Sequence, residues 1–297
     1  MDPSQPETAW SIACRTMLIP EAARGNDNTL WVTLGSSIRN LSLAYTIGPP
    51  QESIQRCERE IRHTWYLFIL AAKNTDADHP AQDRLTALIL RARELGVLRR
   101  EVEDLAYEAL TADGRIWTDL PFMVMDVQEA WKGVLHPSES LAQRCNFAAA
   151  IARLAGLGVL DAAFSGCGLA VMSLALETLG DQHSSTQMGL QLLPVVQVWL
   201  RYAGDKMLRL SLVNHLSDES AWCAESGSSS GELAREVGIE TVGFSKDRFV
   251  FWKNKLSELK SKDNIDDNVK EVAVLCSRNI DIVWNSVFGW REDFYHD

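Results

Sequence analysis

The spacing of apolar residues constrains this chain more than any other feature of it. From Glu52 to Asn74, the residues Ile54, Cys57, Ile61, Trp65, Phe68 and Ala72 recur at steps of three and four. That spacing puts them on one stripe of an α-helix, because 3.6 residues complete a turn. Thr75-Asp76-Ala77-Asp78-His79-Pro80 interrupts the stripe with capping residues and a proline suited to a first helical turn. A second stripe follows (Leu85, Leu88, Ile89, Ala92, Leu95) and Gly96 stops it. The same reading predicts helices near 98–111, 122–132, 138–155, 162–179, 187–210, 246–261 and 266–287. Ser245 is placed to cap the last but one, with Phe249, Trp252 and Leu256 facing inward. The expected fold is all-α, an irregular multi-helix single domain with at least seven helices and no substantial sheet.

Two regions lack such a stripe. Residues 20–50 hold Gly25, Gly35, Gly48 and Pro49-Pro50 between the short apolar runs Leu30 to Leu34 and Leu41 to Ile47, and read as a covering loop or a small hairpin. Residues 1–50 are therefore set apart, as an N-terminal helix and an irregular covering segment, from a helical domain over 51–297. Within that domain, residues 217–244 carry Glu225-Ser226-Gly227-Ser228-Ser229-Ser230-Gly231 and read as a mobile insertion.

Length and charge narrow the function classes. A chain of 297 residues buries enough apolar surface to need no disulfide or metal staple. The net charge of −11 repels polyphosphate, and Arg99-Arg100 is followed at once by Glu101, Glu103 and Asp104, so nucleic acid is not an expected partner. The six cysteines are scattered with no close pair, which suits a reduced, cytoplasmic protein. The acidic opening Met1-Asp2-Pro3-Ser4-Gln5-Pro6-Glu7 does not read as a signal peptide. Ala162 to Leu176 is the most membrane-like stretch, but it is bounded by Asp161 and Glu177 and falls short of the roughly 20 apolar residues of a span. It reads as a buried core helix.

Several segments resemble a fungal family catalogued as a domain of unknown function, number 3632. They are His79-Pro80-Ala81-Gln82-Asp83-Arg84-Leu85, Ile116-Trp117-Thr118-Asp119-Leu120-Pro121, Trp131, Asn146-Phe147-Ala148-Ala149-Ala150-Ile151-Ala152-Arg153-Leu154, Ala175-Leu176-Glu177, Trp199 to Gly204 and the helix holding Trp252. In the family's order they cover roughly residues 60–285. The resemblance implies a fungal source and a helical fold, and it carries over no established catalytic residue. Some members look like companions of natural-product pathways. The activity this implies is cofactor-free cyclisation, such as a Diels–Alder closure in a sordarin-like terpenoid pathway.

Familiar chemical motifs are excluded one by one. Asp76, Asp78, His79 and Asp83 precede or open a helix, so capping explains them better than metal binding. Asp263-Asn264-Ile265-Asp266-Asp267 imitates the aspartate-rich site of a terpene synthase, but no second Asn/Ser/Glu ligand set follows on a later helix. Gly156-Leu157-Gly158 follows a helix instead of a strand and reads as a helix–helix turn, not a dinucleotide loop. Ser165 lacks the glycine two residues upstream that a hydrolase elbow requires. No metal and no cofactor is expected.

What remains is a helical core rich in tryptophan, with ten in the chain. Trp65, Trp117, Trp131 and Trp199 are the expected substrate-binding walls of an apolar cavity, with residues 20–50 near its mouth. Asn146, Arg153 and Asp119 are the expected polar groups acting on the substrate. Structural roles stand beside these: Thr118 or Asp119 as cap of the helix that Pro121 begins, and Arg153 as buried partner of Glu177. The expected function is a cofactor-independent cyclase or isomerase of the Diels–Alderase kind, acting on a small apolar metabolite. The alternative is a non-catalytic helical binding protein. A homodimer is left open.

Overall fold

A computed structural model gives the structure, and it describes residues 28–47, 54–136, 139–178, 189–216, 229–262 and 265–289. The helices are α1 (Asn28–Ile47), α2 (Ile54–Lys73), α3 (Ala81–Glu94), α4 (Met123–Leu135), α5 (Leu141–Gly156), α6 (Asp161–Leu176), α7 (Leu193–Leu212), α8 (Glu232–Glu236), α9 (Lys246–Ser261) and α10 (Asp267–Phe288). Two small antiparallel hairpins interrupt them: β1 (Arg99–Val102) with β2 (Leu105–Glu108), and β3 (Leu110–Thr111) with β4 (Gly114–Arg115). The fold is all-α, as the stripes require.

The chain forms two compact units. Met1–Gly133 and Glu139–Phe147 make up the first, Val134–Ser138 and Ala148–Asp297 the second. In the first, α2 packs against α1, α3 and β3, and α1 also meets β1. In the second, α7 packs against α6, α9 and α10, and α9 also meets α6 and α10. Stripes tell which face of a helix is buried but not against which neighbour, so this division was not legible from them.

The first correction lies at α1. The segment read as a loop or hairpin is a 20-residue helix whose buried side chains are Leu30, Leu34, Ile38, Leu41 and Tyr45. Those five recur at steps of four, four, three and four. Gly35 and the hydroxyl residues between them obscured the pattern. The hydroxyls fold back onto the helix itself: Ser37 donates to the Thr33 carbonyl, Ser42 to Ile38 and Thr46 to Ser42, at 2.8 to 2.9 Å.

The second correction concerns residues 98–111, expected to be helical. They form β1 and β2, joined through Glu103 and Asp104, whose φ angles of 50° and 64° are those of a tight two-residue hairpin turn. Arg100 fixes the hairpin by donating to the Tyr45 carbonyl at 2.8 Å, with its guanidinium 4.8 Å from the centre of the Tyr45 ring. Tyr45 returns a hydrogen bond to the Tyr107 carbonyl.

Elsewhere the helix limits fall close to the expected ones. Ser245 caps α9 by accepting from the Arg248 amide, and Asp266 caps α10 by accepting from Asn268. Gly158 (φ 73°) and Leu160 (φ 47°) turn the chain between α5 and α6. In α6 almost every residue from Phe164 to Ser173 is buried, the mark of a core helix. Among the described residues, no helix is long and apolar enough to cross a membrane. Within the expected insertion, 217–228 lie outside the described residues. In the remainder, Ser230 pairs with Thr241 through backbone and side chain, and α8 lies between them.

Candidate functional site

Each expected site residue has its own local setting. In the first unit, Trp65 and Trp117 meet edge to face, ring centres 6.2 Å apart. Both are wholly buried, and each indole has an acceptor: Trp65 donates to the Pro121 carbonyl at 2.7 Å, Trp117 to Ser42 Oγ at 2.8 Å. A buried Trp needs such a partner for its N–H. The pair thereby ties α1 and α2 to the loop before α4. Trp131, also wholly buried, packs against Phe147 at 5.8 Å.

Asn146 sits on the N-terminal half of α5 and clamps the turn after α2. Its Oδ1 accepts from the Ala77 amide at 2.8 Å and its Nδ2 donates to the Lys73 carbonyl at 3.1 Å. Gln82 completes the clamp, donating to the carbonyls of Thr75 and Asn146 at 2.6 and 3.2 Å. Pro80 is the N-cap of α3 and makes no side-chain cap hydrogen bond, while His79 Nδ1 accepts from the Ala81 amide at 3.1 Å. Among the described residues, no three His, Cys, Asp or Glu side chains gather as a metal site.

Asp119 does not cap a helix. Its Oδ2 accepts from the Arg115 amide at 2.8 Å, closing the turn after β4, and α4 begins only at Met123. Between them, Leu120 (φ 52°) and Phe122 (φ 63°) both occupy the left-handed region on either side of Pro121. Two such non-glycine residues in one short loop are strained, and strain of this kind collects at functional loops. Asp113 holds the loop by accepting from the Phe122 amide at 2.5 Å.

Beside this loop lies a pair that the sequence did not suggest. Arg62 on α2 reaches Asp126 in the first turn of α4, with Nη1 3.7 Å from Oδ1. Burial pushes the Asp126 carboxyl up to about 6; Arg62 opposes the rise and Asp113 adds to it. No pattern in the sequence links two positions 64 residues apart, and an acid after Pro121 reads simply as a residue suited to a helix N-terminus. Burial also pushes the thiols of Cys145 and Cys276 up, to about 11 and about 12, so neither is a ready nucleophile.

In the second unit the expected partnership of Arg153 with Glu177 is not formed. Arg153 lies over the Tyr202 ring, 3.6 Å from its centre, and donates to the Ala149 carbonyl one turn back. Glu177 instead meets Arg248 of α9, and both side chains are fully buried. Arg248 donates from Nε to Oε1 and from Nη2 to Oε2, each at 2.9 Å. Trp252 adds a third hydrogen bond to the carboxylate, donating to Oε1 at 2.6 Å, while the Gly231 amide and Ser173 Oγ donate to Oε2 at 2.7 and 3.1 Å. Arg248 also donates to the Gly243 carbonyl at 2.6 Å. A Cβ on residue 231 would sit 2.6 Å from the Glu177 side chain and carbonyl, so glycine alone permits the approach. Every oxygen of this carboxylate is engaged, which makes the pair a lock on residues 229–248 and not a place for chemistry. Trp199, wholly buried, lies against Gly168, where a Cβ would come within 2.6 Å of its ring.

Most of the segments that carried the family resemblance thus contribute the hydrogen bonds that hold each unit: Gln82 with Asn146, Pro121 with Trp65, and Glu177 with Trp252. A family model described as "Protein of unknown function (DUF3632)" matches residues 65–256. The chain is also 28% identical over 246 residues to "Oxopyrrolidines biosynthesis cluster protein G" of Penicillium oxalicum, a match that covers 74% of this chain and 65% of that protein. No solved structure matches. With well over half of its length in the family model, the chain belongs to the DUF3632 family.

Proposed function

We propose that this protein acts in the biosynthesis of a fungal secondary metabolite, as a cofactor-independent cyclase or isomerase of a small apolar intermediate. The observation that carries this reading is the 246-residue similarity to a protein of an oxopyrrolidine biosynthesis cluster. A reaction of this kind asks for a shaped apolar surface and one or two donors to a polarised carbonyl. Of the three polar residues first considered, Arg153 is a half-buried guanidinium fixed on an aromatic ring, and such a donor suits a carbonyl. Diels–Alder closure is one form that the reaction takes under this reading.

A second reading, a helical protein that binds an intermediate without converting it, is favoured by the places of Asn146 and Asp119. Each spends its side chain on a backbone that it holds in position. One experiment addresses both. Deleting the gene from its host is expected to abolish a metabolite and leave its precursor to accumulate. Conversion of that precursor by the purified protein, without additives, supports the cyclase or isomerase. Binding without conversion supports the second reading, and an unchanged metabolite profile sinks the biosynthetic assignment.

A further inference from the structure

The outer face of α10 departs from the pattern of a surface helix. Ala273, Cys276, Ser277, Ile280 and Val283 form its buried face, and the helix packs on α7 and α9. The opposite face of such a helix is ordinarily polar. Here it carries three aliphatic residues, Val274, Leu275 and Ile282, exposed by 48%, 43% and 58%. Glu271 and Arg278 share that face and are exposed as well. One exposed aliphatic residue needs no explanation, but three within about two turns form a patch.

Charges at the flank of α10 are used within the chain, while those on the outer face are idle. Asp281 pairs with Lys253 at 3.1 Å, and Lys260 donates to Ser277 Oγ at 3.3 Å. Glu271 and Arg278 have no ion-pair partner among the described residues. Seven residues separate them, about 10 Å along the axis, beyond the spacing at which helix neighbours pair.

The order of these residues is self-complementary. Glu271 stands three residues before the Val274-Leu275 pair and Arg278 three residues after it. Turning a second copy end for end about that pair sets Glu271 of each copy against Arg278 of the other, with Val274 against Leu275. Other alignments bring like charges together. A parallel pair places each charge beside its own counterpart, and an antiparallel pair slid to set Leu275 opposite Ile282 places the two Arg278 side chains together. Antiparallel helix dipoles favour the same arrangement.

We propose that α10 is the contact face of a homodimer, in which two copies pack antiparallel about Val274 and Leu275 and pair Glu271 with Arg278 across the interface. The contact is isologous, so a twofold axis closes it and each charge pair occurs twice. Ile282 and Asp267 lie equally far from the midpoint and come to the rim. The overlap from Asp267 to Ile282 is about 24 Å of helix, which places the contact at the small end of specific interfaces. The dimer rests on α10 alone and is independent of the biosynthetic role.

Sedimentation velocity of the full chain between about 1 and about 200 µM tests the proposal, with an apparent mass expected to rise from one chain to two. Glu271→Arg and Arg278→Glu should each weaken association by about tenfold or more, because either change creates two like-charge contacts per dimer. An equimolar mixture of those two variants should recover the dimer, and so should the double variant, since both restore opposite charges across the twofold axis. Circular dichroism should stay unchanged, as both positions are exposed. Should one variant unfold, Leu275→Glu replaces it and is expected to abolish association by placing an acid at the midpoint. A wild-type chain that stays single throughout overturns the proposal. So does wild-type association by a folded single variant, or failure of both the mixture and the double variant to recover the dimer.

Discussion

Glu177 shows how a residue can look functional and be structural. It closes an apolar helix, which in a sequence marks it as an unusual carboxylate, and it accepts five hydrogen bonds from Arg248, Trp252, Gly231 and Ser173. Replacing it by Gln leaves the Arg248 charge buried without a counter-ion. Glu177→Gln is expected to cost about 3–5 kcal/mol in urea denaturation, as loss of one partner of a buried pair does. Asp126 behaves in the opposite sense. Its carboxyl titrates near 6 in the folded protein against 3.8 in the reference state, so the folded chain holds the proton longer. Stability therefore falls as pH rises from about 4 to about 6, and the penalty is fully present above that window. Asp126→Asn, which carries no charge, should exceed the wild type by about 1–3 kcal/mol at pH 7.5 and match it near pH 3.5. Denaturation midpoints of the two proteins across that range check it; a constant difference would show that the carboxyl is not the cause.

At the scale of elements, α1 carries the largest revision. It is no lid over a finished domain, because Leu30, Leu34, Ile38, Leu41 and Tyr45 are core residues and Ser42 receives the Trp117 indole. Removing residues 1–47 should expose Trp117 and the face of α2 that α1 covers. The expected outcome is a red-shifted tryptophan emission and a marked loss of helical ellipticity, well beyond the share of the residues removed. Retention of full helicity per residue would show that α1 is dispensable to the first unit. The β1–β2 hairpin belongs to the same lesson. Leu98 to Thr111 contains apolar residues at helix-compatible intervals, yet Glu103 and Asp104 adopt the left-handed turn, and Arg100 and Tyr107 bond to Tyr45. Tertiary partners supplied by α1 override the local preference.

Across the whole molecule, the family match and the packing carry one message. The matched residues include Trp65, Gln82, Trp117, Asn146, Glu177 and Trp252, and each uses its polar atoms to hold one segment of chain against another. Resemblance at such positions transmits an architecture. Chemistry is to be sought where polar capacity is left over, and in the first unit Asp126 Oδ2, beside the strained loop, is one such atom.

The sequence by itself determined the helical class, the limits of most helices and the cap at Ser245. These follow from periodicity and from side-chain oxygen chemistry at helix ends, both of which act over a few residues. The sequence could not assign Glu177 to Arg248 instead of Arg153, nor join Arg62 to Asp126. Those outcomes depend on which helix faces meet across 60 to 70 residues of chain. Many partners satisfy a carboxylate equally well in one dimension, and only the packed structure chooses among them.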